Sequence, residues 1–362
     1  MCCLGARAPA LSSLRAGQGV KRQRTMDWFN SITTGITTGV LWPVYEFLAD
    51  GNSRYYWLYC ATGIAIAIFV NRENAKAHPG EQSLFSAKAW LSRSAYNDYF
   101  VLVFGSVLRL TILSWAFINW RPIAEFVADA IRWLGVSGTV NDSTALALGA
   151  VMTVTLFLVD DFVRWWAHYM MHKIPELWEF HKVHHSAEEL NFATAERLHP
   201  LEVVFTSLAG ALSFGVVNGL FIGLFGDKLT VATVFGANAL LVLFNIAGGV
   251  LRHSPVWISF GPRVERWVIS PAMHHIHHSA KAHHFDRNMG GSLSVWDRWF
   301  GTIHIPQGRE VDGYGIGEET QDFRSLAVIY FRPFLRSADM IKSRVLGALR
   351  WRSSERPNRA ML

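Results

Sequence analysis

The sequence predicts an all-α integral membrane protein: a multi-span helical bundle with a histidine-rich cytosolic helical cap that holds a dimetal site. The 362-residue chain is 51% hydrophobic and only 17% charged, against roughly 25% charged residues in soluble domains. Long apolar runs recur along it. Thirteen of its 15 histidines lie between residues 168 and 284, and such a concentration predicts a built site rather than scattered surface side chains.

The amino-terminal region differs in composition from the rest of the chain. Residues 1–25 are rich in Arg, Lys, Ala and Gly and contain no apolar core long enough for a secretory signal. We interpret them as a disordered leader or an over-extended start. Segment 27–49 predicts an interfacial helix broken near Pro43. We expect one membrane-embedded domain over residues 26–310 and a basic carboxyl-terminal tail over 311–362.

Apolar runs predict the membrane spans, since a helix needs about 20 residues to cross a bilayer. Three runs precede or enter the histidine region. Two more follow it, separated only by three residues, and predict a helical hairpin that crosses the bilayer and returns. The predicted spans are 55–70, 99–120, 144–159, 201–225 and 229–251. The hairpin would return the later histidines to the side of the earlier ones.

The distribution of Lys and Arg predicts the orientation of these spans. Connector 71–98 carries four Lys/Arg against three acids, and the tail from residue 335 carries seven against two. Placing both on the cytoplasmic side puts the histidines at the cytoplasmic face. Within the tail, 335–352 has the pattern of a basic amphipathic helix on an anionic lipid surface.

The histidines fall into three motifs with helical spacing: HxxxH at 168–172, HxxHH at 181–185 and HxxHH at 274–278. Residues three or four apart share a helix face, so their imidazoles can converge on a metal. Neutral imidazole suits iron, zinc, copper and nickel. Eight imidazoles exceed what one four-coordinate zinc ion needs, which favours two metals. Asp161 lies on the face of His168, as an acceptor for an imidazole N–H or an ion-pair partner of Arg164.

Other patterns narrow the function classes. The three cysteines form no CxxC pair, and no basic-aromatic pattern typical of nucleic-acid binding is present. Gly290-Gly291 is no dinucleotide fingerprint. Electrons for a redox reaction would therefore come from an external donor.

The three motifs together resemble the fatty acid hydroxylase/sterol desaturase superfamily. Further similar blocks are ERLHPLE at 196–202, LRHS at 251–254 and HHFDRNMGGSLSVWDRWFGT at 283–302. The resemblance covers roughly residues 100–305. It implies a membrane enzyme whose histidines hold two iron ions, with zinc as a substitute metal, and which uses O2 to hydroxylate or desaturate a sterol, fatty acyl chain or ether lipid. It also implies a separate electron-transfer partner, such as a reductase, ferredoxin or cytochrome.

The resemblance extends the candidate site. The expected metal ligands are His168, His172, His181, His184, His185, His199, His253, His274, His277, His278 and His284. Asp161 and Asn288 are the expected catalytic residues. Met289 stands where the family commonly has Tyr, and His275 and His283 lie beside the pattern and are not expected to be ligands.

Two other function classes stay open. A membrane dizinc hydrolase would add carboxylates as bridging ligands and bases, and Glu188, Glu189 and Glu196 are candidates. A metal transporter would distribute its ligands through the spans, whereas these histidines crowd at span ends. Within the oxidative class, an ether-lipid monooxygenase that depends on a reduced pterin is an alternative to sterol or fatty-acyl oxidation.

Overall fold

The computed structural model describes residues 37, 40–77, 83–111, 119–136, 138–234 and 237–354, and they are mostly helical, as predicted. The helices are α1 (Trp57–Ala77), α2 (Ala87–Leu91), α3 (Arg93–Thr111), α4 (Trp120–Trp133), α5 (Asp142–Lys173), α6 (Pro175–His185), α7 (Pro200–Phe225), α8 (Ala239–Ile246), α9 (Pro271–His277), α10 (Val295–Phe300) and α11 (Leu326–Ser354). Two short antiparallel strands, β1 (Thr233–Val234) and β2 (Ala237–Asn238), pair with each other. The predicted leader 1–25 and residues 27–36, 38 and 39 of the predicted interfacial helix lie outside the described residues. Residues 40–48 are helical, and the predicted break near Pro43 is wrong, since the helix runs through Pro43.

Helix α5 is the longest element and leads directly into the histidine region. Its 32 residues begin after Asn141, whose side chain accepts a hydrogen bond from the Thr144 N–H, the usual way a helix start is satisfied. It ends before Pro175, as predicted, because proline cannot continue the hydrogen-bonding pattern of the helix. Among the described helices, α5 and α7 are long and apolar enough to cross a membrane.

Helices α4 and α7 pack closely along a stripe of glycines. A Cβ atom at Gly215 would lie 2.6 Å from Ile123 Cβ, and one at Gly219 would lie 2.6 Å from the Ala124 carbonyl oxygen. Small residues therefore allow the two backbones to approach, as in many helix pairs within membranes. Helix α7 also packs on α5, which brings the first turn of α7 beside the histidine-bearing end of α5.

The predicted return span 229–251 is wrong. Strands β1 and β2 and the eight-residue α8 occupy this stretch instead. Asn238 caps α8 and also donates a hydrogen bond to the Thr153 carbonyl of α5. Gly248 then adopts a left-handed φ of 104°, a conformation that favours glycine. The chain is thus folded back against α5 rather than extended as one helix.

Three of the other predicted spans, 55–70, 144–159 and 201–225, lie wholly or almost wholly within helices, whereas 99–120 is divided between α3 and the start of α4. Segment 55–70 lies almost wholly within α1, and 99–120 begins within α3, although residues 112–118 lie outside the described part of the chain. The tail segment 335–352 lies within α11, which starts earlier and contains Pro333.

Candidate metal centre

Nine of the eleven predicted ligands gather in two groups of buried or partly buried imidazoles. The first group is His168, His172, His181, His185 and His277, and the second is His184, His253, His274 and His278. In each group, one nitrogen from every member lies within 4.8 Å of one nitrogen of each other member. Segments far apart in the sequence thus present their imidazoles to two common points.

The separations between nitrogens suit coordination to a shared cation. In the first group, His181 Nε2 lies 3.0 Å from His168 Nε2 and 3.1 Å from His185 Nε2. In the second, His274 Nε2 lies 3.0 Å from His253 Nε2. Two nitrogens bound to one ion at about 2.1 Å, at angles of about 90–110°, lie about 3.0–3.4 Å apart. The donor sets therefore fit a transition-metal ion in each group.

Each HxxHH motif gives two imidazoles to one group and one to the other, and the two motifs favour different groups. Helix α6 gives its outer pair, His181 and His185, to the first group and His184 to the second. The α9 motif gives its outer pair, His274 and His278, to the second group and His277 to the first. The rings of His185 and His278 stack with centroids 4.5 Å apart. The groups therefore adjoin and interlock.

Backbone and carboxylate oxygens orient the imidazoles of the first group. The Nδ1 atoms of His168 and His277 lie 2.8 Å from the carbonyl oxygens of Met289 and Arg287. A carbonyl oxygen only accepts, so each Nδ1 donates and each Nε2 keeps its lone pair for a metal. The Nε2 of His277 has no hydrogen-bond partner among the described residues. A cation at that point would satisfy it.

Two carboxylates hold two further rings of this group at their Nδ1 atoms. The Nδ1 of His181 lies 2.8 Å from Glu202 Oε1, and both side chains are buried. The Nδ1 of His172 lies 3.3 Å from Asp286 Oδ1. Carboxylates in this position fix the ring and raise its basicity as a ligand. Glu202 is not among the predicted site residues, although an acid in the first turn of an apolar helix needs a polar partner once it is buried.

In the second group the Nε2 atoms face one another, with His253 Nε2 3.2 Å from His184 Nε2 and His278 Nε2 3.2 Å from His274 Nε2. The Nδ1 atoms of His184, His274 and His278 are buried and have no hydrogen-bond partner among the described residues. Burial lowers the pKa of His184 to about 3, helped by Arg54 and Arg197. Burial and neighbouring imidazoles likewise hold the pKa of His278 well below its ordinary value. Both rings are therefore neutral at pH 7, the form that binds metals.

The structure does not bring His199 to either group. Its Nδ1 accepts a hydrogen bond from the Leu201 N–H at the start of α7, and its Nε2 lies 3.2 Å from the Tyr330 carbonyl oxygen. Both nitrogens are thus engaged in capping and packing. His275 is held similarly, between the Ser254 carbonyl oxygen and the Tyr314 hydroxyl. His284 lies in a separate cluster with His283 and Glu310.

Asp161 binds a loop rather than an imidazole. Its carboxylate accepts hydrogen bonds from the Ser292 and Leu293 N–H groups and from the Trp296 indole. Asp161 therefore fixes the loop that follows Met289, whose carbonyl accepts from His168. For His168, the predicted role of Asp161 as an acceptor for an imidazole N–H is taken by that carbonyl. The alternative, an ion pair with Arg164, is not formed either, because Arg164 pairs with Asp160.

Asp297 and Asn288 also fix the loop around Met289. Asp297 accepts hydrogen bonds from the Trp165 indole and from the N–H groups of Met289 and Gly290. Asn288, at a left-handed φ of 56°, donates to the Met273 carbonyl and accepts from the His304 N–H. In this structure Asn288 joins the loop to α9. Its side chain contacts backbone rather than imidazoles.

The fold and site define a class of helical proteins in which histidine-bearing helices lie at one end of long apolar helices. Residues 153–302 match the fatty acid hydroxylase family, which supports the predicted resemblance to the fatty acid hydroxylase/sterol desaturase superfamily. That match contains all nine histidines of the two groups. No solved structure matches the chain significantly.

Several curated proteins are similar to this chain over about half its length. Human alkylglycerol monooxygenase is 28% identical over 178 residues, 49% of this chain and 36% of the relative. The ornithine lipid hydroxylase of Rhizobium tropici is 28% identical over 157 residues, 43% of each chain. A putative methylsterol monooxygenase of Dictyostelium discoideum is 30% identical over 181 residues, 50% of this chain and 61% of the relative. The matched region spans about a third of the alkylglycerol monooxygenases, which are larger proteins.

Proposed function

We propose that this protein catalyses the O2-dependent oxidation, by hydroxylation or desaturation, of a membrane lipid at a histidine-held di-iron centre. The observation that carries the proposal is that nine imidazoles lie in two adjoining groups at the ends of apolar helices. The names of the similar proteins, an alkylglycerol monooxygenase, an ornithine lipid hydroxylase and a methylsterol monooxygenase, support oxidation of a lipid.

The chain's own residues would bind and orient the ions and exclude water. Five imidazoles would hold one ion and four the other. Two bound iron ions would supply the O2 activation that attack on an unactivated C–H bond requires. Met289, Arg287, Glu202 and Asp286 would keep the Nδ1 protons of four of the five imidazoles in the first group directed away from the ion.

The reaction balances only with an external reductant. Hydroxylation inserts one oxygen atom into the C–H bond and reduces the other to water, using two electrons and two protons. We infer a separate reductase, ferredoxin or cytochrome as the electron donor. The bias in Lys and Arg supports a centre at the cytoplasmic face, where such a donor could dock.

The substrate would enter from the bilayer. The outer faces of the two span-length helices expose large apolar side chains, including Leu146 and Leu158 on α5 and Leu212 and Leu220 on α7. These surfaces suit lipid tails rather than water. An ether lipid is the first substrate to test, because the alkylglycerol monooxygenases are among the most similar proteins. Sterols and fatty acyl lipids are the substrates to test next.

The contacts of the nearby acids disfavour the rival classes. In a dizinc hydrolase, carboxylates would join the ligand set, but Glu202 and Asp286 contact the nitrogens on the far side of the imidazoles. Glu188 pairs with Arg324 and Glu189 with Lys88, so neither carboxylate is free to serve as a base. A transporter would line a path with ligands, whereas these lie in one place.

The first experiment measures iron content and O2 uptake of the detergent-purified protein. We expect about two irons per chain and reductant-dependent O2 uptake that a lipid substrate stimulates. The double variant His181→Ala, His184→Ala, which removes one ligand from each group, should lose both. The control His275→Gln changes an imidazole of α9 that belongs to neither group and should keep its iron. Tightly bound zinc, with no O2 uptake after iron reconstitution, would refute the proposal and favour hydrolysis.

A further inference from the structure

A third cluster of metal-ligand side chains lies beyond α9, apart from the two histidine groups. One ligand atom each from His283, His284 and Glu310 lie within 4.8 Å of one another. His283 is exposed, His284 is fully buried and Glu310 is partly buried. Two imidazoles and a carboxylate are a donor set that zinc takes in proteins.

The buried imidazole of His284 is only partly satisfied by hydrogen bonds. Its Nδ1 is buried and has no partner in the described part of the chain. Its Nε2 lies 3.4 Å from Glu310 Oε2, longer than the roughly 2.7–3.2 Å of a good N–H···O hydrogen bond. Leaving a buried nitrogen unpartnered costs free energy. A cation would turn this poorly bonded ring into a ligand.

Neighbouring groups already hold the carboxylate in place. Glu310 Oε1 accepts a hydrogen bond from the Gln307 N–H at 2.6 Å, and Oε2 lies 2.9 Å from His304 Nε2. The rings of His283 and His284 lie with centroids 4.1 Å apart. Glu310 is thus positioned before any ion arrives, which reduces the entropic cost of binding.

We propose that His283, His284 and Glu310 form a third divalent-cation site, suited to Zn²⁺, with a fourth position open to water. Its place in the chain gives it a structural role. The turn Ala282–His284 directly precedes Asp286 and Arg287, whose oxygens hold two imidazoles of the first group. A cation here would tie that turn to the loop that carries Glu310, and so steady those supports.

The test counts zinc in the full-length protein in detergent, after metal stripping and equilibration with buffered free Zn²⁺. We expect His283→Ala and Glu310→Gln each to bind about one ion fewer than wild type, or to bind that ion at least about tenfold more weakly. The control Glu318→Gln makes the same carboxylate-to-amide change at an exposed position of the cap and should bind as wild type does. His283 is exposed, so its loss should leave the fold intact.

The difference in zinc content does not depend on how many ions the nine-histidine centre holds, nor on whether the protein consumes O2. A second measurement follows thermal unfolding, in which excess zinc should raise the melting temperature of wild type more than that of His283→Ala. Equal zinc content and equal stabilisation in wild type and both variants would overturn the proposal. So would a loss of one ion in Glu318→Gln as well.

Discussion

Replacing Glu202 tests whether a carboxylate behind His181 strengthens the first metal site. Glu202 Oε1 lies 2.8 Å from His181 Nδ1, and both side chains are 3% exposed. Loss of such an outer contact typically weakens metal binding 10–100-fold, or about 1.4–2.8 kcal/mol. Glu202→Gln keeps an acceptor oxygen but loses the charge, so we expect about a tenfold loss of affinity. Glu202→Ala removes the acceptor, and we expect about a 100-fold loss.

The assay is competition between the protein and a chelator at defined free metal concentrations, with bound metal measured by mass spectrometry. Glu179→Gln is the matched control, because Glu179 is similarly buried on α6 but pairs with Lys182. It should change stability without changing metal affinity. Metal binding by Glu202→Ala within about twofold of wild type, or an equal loss of affinity in Glu179→Gln, would refute this role of Glu202.

Two further predictions concern stability. Burial keeps His184 neutral in the fold, with a pKa of about 3, whereas the unfolded chain takes up a proton near pH 6.5. Lowering the pH from 6.5 to 5.5 should therefore destabilise the metal-free protein by about 1 kcal/mol for each such imidazole, measured by denaturant unfolding. Asp161→Asn should turn an N–H donor towards the Ser292 N–H and cost about 1–3 kcal/mol, seen as a lower melting temperature.

Each of these predictions has its own contrary result. A metal-free protein equally stable at pH 7.5 and pH 5.5 would show that the imidazoles are hydrated or already protonated. For the second, Asp160→Asn is the control, because Asp160 pairs with the more exposed Arg164. Equal melting temperatures for the two aspartate variants would show that Asp161 does not fix its loop.

The sequence predicted the gathering of the histidines because helical spacing is a local property. His168 and His172 share a face of α5, and Pro175 ends that helix where expected. The orienting groups are less visible in sequence. Glu202 reaches His181 only because α7 packs against the histidine-bearing helices, and the carbonyl oxygens of Met289 and Arg287 carry no side-chain signature at all.

Tertiary packing explains why the structure departs from two predictions, the membrane span 229–251 and the metal ligand His199. Hydropathy does not distinguish a membrane helix from an apolar segment folded against α5, and 229–251 is the latter. Two residues indicated that the segment is not one continuous helix: Asn238, which caps α8, and Gly248, which has a left-handed φ. His199 was assigned by family resemblance. At the start of α7, its nitrogen serves the backbone instead of a metal.

The opposite allocation of the two HxxHH motifs bears on how the metals load. Since α6 and α9 each supply both groups, neither pocket can take shape without the helix that also shapes the other. We expect wild-type preparations to contain mostly empty or doubly loaded molecules, with few singly loaded ones. A mononuclear form would then require changes at ligands outside these helices, such as His253 for one ion or His168 and His172 for the other. The interlock makes the metal pair, rather than either ion, the unit that the fold assembles.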